Sequence, residues 1–165
     1  MCPRVSPRGC GHAECRWRAL GIGLTFTYAP ENPVPTVGGA IQMPYPPTGT
    51  FEQRTVEKRA DVLVFTSDVL TGDAEVMGWV TATLTAATDC LTTDWVVRLC
   101  DVHPYGRSFN VVAGITRVEA VPWRGRHGRG RPVVDEQAFQ VGHRIRVQVT
   151  SSCFPRWDRN PNTAD

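Results

Sequence analysis

Gly142-His143-Arg144-Ile145-Arg146-Val147-Gln148-Val149-Thr150 alternates polar and apolar residues from Arg144 onward. Ile145, Val147 and Val149 fall on one side, and Arg144, Arg146 and Gln148 on the other. A period of two is the mark of a half-buried strand, since successive side chains of a pleated chain point to opposite faces. The chain then runs into Ser151-Ser152-Cys153-Phe154-Pro155-Arg156-Trp157-Asp158-Arg159-Asn160-Pro161-Asn162. Short Ser, Asp and Asn side chains there can replace water as partners for a turning backbone, and no helix passes through Cys153-Phe154-Pro155.

Working outward, the same period recurs. Residues 62–66 are a short apolar run bounded by polar residues, and the domain proper is expected to start near Asp61. Residues 75–87 set Val80, Ala82, Leu84 and Ala86 against Thr81, Thr83 and Thr85, and read as one strand with threonine on its open face. Trp95, Val97 and Leu99 form the inward face of another, and residues 109–115 return after the turn residues His103-Pro104-Tyr105-Gly106-Arg107, giving a hairpin. At least five short strands and no long helix argue for an all-β sandwich. Residues 121–139, with the run Arg124-Gly125-Arg126-His127-Gly128-Arg129-Gly130-Arg131, show no strand pattern and read as an irregular basic insert.

Two motifs carry a resemblance. The stretch from Gly142 to Asn162 resembles the C-terminal domain of the Xaa-Pro dipeptidyl-peptidase and cocaine-esterase-like (CocE/NonD) serine hydrolases. Tyr28, Pro30, Pro33, Val34, Pro35, Thr36, Gly38 and Gly39 match that family's Pro-rich linker, with Ala29 where the family carries Asp. The resemblance covers residues 26–118 and 140–163. It implies a jelly-roll-like, galactose-binding-like sandwich that does no chemistry itself. Its implied partner is an α/β-hydrolase domain that cleaves an ester or an Xaa-Pro amide through a serine acyl-enzyme. The expected division is 1–24 disordered or foreign, 25–59 linker, and 60–165 a jelly roll lacking an internal strand and its end. One expectation covers these departures together, that of a truncated or frame-shifted gene product.

Composition sets the outer limits. With 165 residues the chain holds one ordinary domain. A net charge of +2 gives no footing for a nucleic-acid partner, and the Arg/Gly run reads as a solvated loop. Apolar runs fall far short of the roughly 20 residues that cross a bilayer, so no membrane partner is expected. Nothing resembles a secretory signal, and a reduced, cytoplasmic setting is expected. Cys2, Cys10, His12 and Cys15 lack the short paired spacings of a structural zinc site. No cofactor is expected.

Candidate chemistry is thin. No G-x-S-x-G nucleophile elbow occurs; Gly106-Arg107-Ser108-Phe109-Asn110 comes nearest and sits in a hairpin. Ser151 and Ser152 end a strand with no helix to follow, and no nucleophile–base set can be assembled around His12, His103, His127 or His143. The family's catalytic residues lie in the preceding domain, so none is carried onto this chain. Asp89, Asp94 and Asp101 read as turn and hairpin residues rather than metal ligands. The functional candidates are Phe154, Trp157, Asp158, Arg159 and Asn160, a loop that either organises itself or braces a neighbouring domain. As a self-organising loop it would point Phe154 into the core and pair Arg159 with a carboxylate. The competing class is a free-standing carbohydrate-binding sandwich, with Trp79, Trp95 and Trp123 as candidate aromatics.

Overall fold

The computed structural model describes residues 24–41, 47–86, 88, 90, 92–119, 126–130 and 133–162. In chain order these form α1 (Arg54–Glu57), β1 (Leu63–Thr66), β2 (Ala74–Trp79), β3 (Ala82–Ala86) and β4 (Thr92–Val102). They continue with β5 (Ser108–Glu119), β6 (Arg126–Gly130), β7 (Val133–Phe139) and β8 (Arg144–Thr150). All the strand pairs are antiparallel: a four-stranded sheet in the order β1-β8-β4-β5, and two two-stranded ladders, β2 with β7 and β3 with β6. This is the all-β architecture that the alternation argued for, and it agrees with the jelly-roll-like sandwich that the resemblance implied.

Two expectations are corrected. The strand over residues 75–87 is two strands, β2 and β3, interrupted at Val80 and Thr81. The irregular stretch at 121–139 holds β6 and β7, so the internal strand that seemed to be missing is present. The register between Gly78 and Ala86 on one side and residues 126–134 on the other continues without a shift. Both ladders thus share one antiparallel register. Glycine and arginine hide the period of two here, because ladder hydrogen bonds use the backbone whatever the side chains are. Gly78, at φ +88° beside the register shift after Met77, is where β2 kinks.

The hairpin forms where the turn chemistry placed it. His103 N–H donates to the Arg107 carbonyl at 2.8 Å and Gly106 N–H to the His103 carbonyl at 2.8 Å, with Gly106 at φ +79°. Here β4 and β5 pair from Thr92–Glu119 to Val102–Ser108, and β8 covers the other edge of β4 with Arg98 opposite Gln148.

On β4 the burial is the reverse of the expected one: Trp95, Val97 and Leu99 are only half-buried, whereas Val96, Arg98 and Cys100 are buried. On β8 both faces go under toward its end, with Val149 buried beside Gln148 and Thr150 while Ile145 and Val147 are half-buried. The polar side of the sheet is the deeper one because the segment expected as a linker lies on it. Val34 and Val56 pack with Val62, Val37 and Val64. Gln53 reaches in from just before α1 and is fully buried.

This attachment explains the linker motif. Val34 N–H donates to Ser152 Oγ at 2.9 Å, Phe154 N–H to the Val34 carbonyl at 2.9 Å, and Thr36 N–H to the Phe154 carbonyl at 2.8 Å. Gly39 and Gly49 exchange backbone hydrogen bonds. A Cβ on Gly38, at φ +66°, would stand 2.5 Å from the Gly49 carbonyl oxygen, so the close approach excludes any side chain.

The buried face makes a chemical prediction. Burial pushes the Cys100 thiol up to about 12, against the opposing influence of Arg98. The stability linked to this thiol is intact below its ordinary value of 9.0 and is lost as pH rises toward about 12, because only the unfolded chain ionises first. At about pH 8 Cys100 should resist iodoacetamide in the native chain and react once unfolded in urea, since the thiolate is the nucleophile. Mass mapping of the labelled peptides checks this; equal labelling in both states would show an open face.

Candidate functional site

The loop after β8 is held from three directions. Beneath it, Ser151, Ser152 and Cys153 are buried, and Cys153 Sγ lies 3.3 Å from Thr36 Oγ1 and accepts from Arg98 Nη2 at 3.2 Å. On one side Phe154 bridges Pro35 in parallel. At the far end Asn160, only 3% exposed, donates from Nδ2 to Asp94 Oδ1 at 3.3 Å. Its Oδ1 accepts from Thr92 Oγ1 at 3.2 Å and from Asn162 N–H at 2.8 Å.

Asp94 is the anchor of that end. It lies inside β4, not in a turn as its spacing from Asp89 implied, and its side chain is 1% exposed. Arg117 on the paired strand β5 grips it in a bidentate fashion, Nε to Oδ1 at 2.7 Å and Nη2 to Oδ2 at 2.8 Å. Hydrogen bonding to Asp94 holds the Arg117 guanidinium above its ordinary value. Tyr28 contributes a phenol whose buried hydroxyl has no partner among the described residues, and burial, followed by the Asp94 charge, pushes its pKa up. Asp89 lies outside the described residues.

Phe154 is 41% exposed, so the expectation that it enters the core is corrected. Its ring lies beneath the Arg159 guanidinium at 5.5 Å, and Arg156 stacks over Trp157 at 4.5 Å. Arg159 reaches the Pro30 carbonyl at 3.2 Å and stands 3.9 Å from Glu31. Asp158 is exposed. Burial lowers the Arg156 pKa. The five candidates therefore divide: Asn160 faces inward as a hub, Trp157 is half-buried, and Phe154, Asp158 and Arg159 form an exposed cationic–aromatic ridge. Sequence reasoning missed the partners that hold this ridge, Asp94, Arg117 and Thr92, which come from β4 and β5, far from the loop in the chain.

Among the described residues, Ser108 and Ser152, weighed as nucleophiles, are committed to structural hydrogen bonds. Ser108, in the nearest approach to a nucleophile elbow, donates to Glu57 Oε1 at 2.6 Å from within β5. Ser152 Oγ serves the Val34 amide. Of the aromatics considered for carbohydrate binding, Trp79 is exposed, Trp95 is half-buried with its ring edge-on to Phe26 at 6.1 Å, and Trp123 lies outside the described residues. Among the described residues no helix is long and apolar enough to cross a membrane.

Residues 20–127 match the model of the X-Pro dipeptidyl-peptidase C-terminal non-catalytic domain. The chain belongs to that family. Cocaine esterase from Rhodococcus sp. (strain MB1 Bresler) is 36% identical over 154 residues, which is 84% of this chain and 26% of that protein. Among solved structures, an α-amino acid ester hydrolase superposes with a TM-score of 0.77 at 29% identity, covering 90% of this chain and 28% of the other. An aminopeptidase from a marine sediment archaeon, Thaumarchaeota archaeon, gives a TM-score of 0.73 at 30% identity, covering 84% and 27%. The chain thus spans about a quarter of the length of these relatives. Its all-β fold is that of the non-catalytic C-terminal domain of CocE/NonD-type hydrolases.

Proposed function

We propose that this chain acts as a docking and bracing domain for an α/β-hydrolase catalytic domain that cleaves ester or Xaa-Pro amide bonds. The supporting observation is the loop ridge. Phe154, Asp158 and Arg159 are exposed while the backbone beneath them is fixed by Ser152, Cys153 and Asn160. A rigid ridge of arginine and aromatic side chains loses little conformational freedom when it meets a partner, and such residues are enriched where proteins dock. Relatives roughly four times as long supply the partner class.

A chimaera tests the proposal. The Rhodococcus cocaine esterase is produced without its own region equivalent to this chain, and again with this chain in that place. The chimaera should recover ester hydrolysis and melt higher than the truncated enzyme, while this chain alone hydrolyses no ester. Arg159→Ala in the chimaera should weaken both gains. A chimaera no more active or stable than the truncated enzyme sinks the bracing role.

A further inference from the structure

At the turn end of the β4–β5 hairpin, away from the 154–160 loop, three side chains converge that the bracing role does not use. Asp101 closes β4, His103 opens the turn, and His143 immediately precedes β8. Their ligand atoms all lie within 4.8 Å of one another. Nδ1 of His143 stands 2.9 and 3.0 Å from the two carboxylate oxygens of Asp101, and Nε2 of His103 lies 3.6 Å from Oδ2. The two imidazoles stack at 4.5 Å with their planes tilted by 32°, and Phe109 backs His103 at 4.8 Å.

We propose that Asp101, His103 and His143 form a binding site for a divalent transition cation of the zinc type. Two imidazole nitrogens and one carboxylate oxygen are a donor set that zinc accepts, with the fourth position left to water. A carboxylate accepts hydrogen bonds only, so in the apo chain Nδ1 of His143 donates to Asp101. On binding, the cation takes the place of the Nδ1 proton of His143, and the neutral ring keeps its one proton by carrying it on Nε2 instead. Asp101 and His143 are buried and set by β4 and β8, so two ligands are preorganised. His103, with its side chain 44% exposed, leaves the way in open. The ligands come from a strand end, a turn and the residue before a second strand, so the ion would tie the hairpin to the start of β8. Asp101 thereby gains a role that the sequence reading, which placed it as a hairpin residue, did not give it.

The test uses the full chain freed of metal, with zinc and cobalt(II) as probes. Zinc should raise the melting midpoint reversibly, with EDTA returning it, and cobalt should give the visible absorption of a low-symmetry nitrogen–oxygen site. His103→Ala, at an exposed turn position, should fold with a metal-free midpoint close to that of the parent and bind zinc about tenfold or more weakly, since even outer partners of a metal site are worth that much. His103→Asn, which keeps a polar group but no imidazole, should behave likewise. The inference is overturned if zinc leaves the parent's midpoint unchanged. It is equally overturned if the rise persists in both variants, or if cobalt shows thiolate charge-transfer bands that place the ion on cysteines.

Discussion

Replacing Arg98 with alanine should be among the most damaging single changes in this chain, lowering the melting midpoint by roughly 6–12 °C for a loss of about 3 kcal/mol. Arg98 is 4% exposed in the middle of β4. Nη1 donates to Gln148 Oε1 at 2.7 Å and to Gln53 Oε1 at 3.1 Å, while Nη2 donates to Cys153 Sγ. Gln148 passes the interaction on, its Nε2 donating to Glu57 Oε1 at 2.9 Å, and Glu57 Oε2 receives Arg146 Nη1 at 2.6 Å. The buried cation is thus balanced by a carboxylate through one amide whose dipole lies between them. Truncation at Arg98 leaves two amide oxygens buried without donors, and an orphaned buried acceptor costs more than a made hydrogen bond contributes. Arg98→Met, which keeps the apolar stem, should recover little if polar satisfaction is the reason. Combining it with Gln148→Leu should cost less than the sum of the two, because the acceptor and its lost donor leave together. Thermal melts of the parent and the four variants decide the matter; a midpoint within about 2 °C of the parent for Arg98→Ala, less than 1 kcal/mol on the usual scale, would show that water takes over the network.

That network also marks how far the sequence could be read. Alternation in residues 144–150 and the turn at 103–107 located β8 and the β4–β5 hairpin because both signals are local. Which face lies deeper was not local. Arg98, Gln148 and Gln53 look like solvent residues one at a time, and they are buried only because their hydrogen-bonding groups satisfy each other across 50 and 45 positions. β6 was illegible for a different reason, since Arg-His-Gly-Arg-Gly offers no apolar face and the strand is defined by its partner β3. In the site, the loop at 154–160 was recognisable from its turn residues and the family motif, which is why its five candidates sit together. The roles within it were not recognisable, because what turns Asn160 inward is Asp94, and what fixes Asp94 is Arg117 on another strand.

Asp94→Ala should therefore release the loop. The substitution removes the acceptor of the Asn160 amide and both acceptors of the Arg117 fork. Arg117 is half exposed and can turn to water, whereas Asn160 cannot, so the expected cost of about 2–3 kcal/mol falls chiefly on the loop end. Trypsin gives the local readout, because Arg156 and Arg159 lie within the loop and cleavage follows the population of its open form. Cleavage there should accelerate in Asp94→Ala, while β4, still tied on both edges by β5 and β8, keeps the sheet assembled. Asp94→Asn keeps the shape and one acceptor, and should lose about half as much, the charge-assisted part of the pair being the stronger. In the chimaera with the cocaine esterase relative, Asp94→Ala should also erase the gain in melting midpoint that the intact chain confers, because a ridge that must be ordered on docking contributes less net free energy. Fast cleavage with an undiminished gain would mean that the partner domain is braced by another face of the sandwich. Unchanged cleavage would mean that Asn160 is held by its contacts to Thr92 and Asn162 alone.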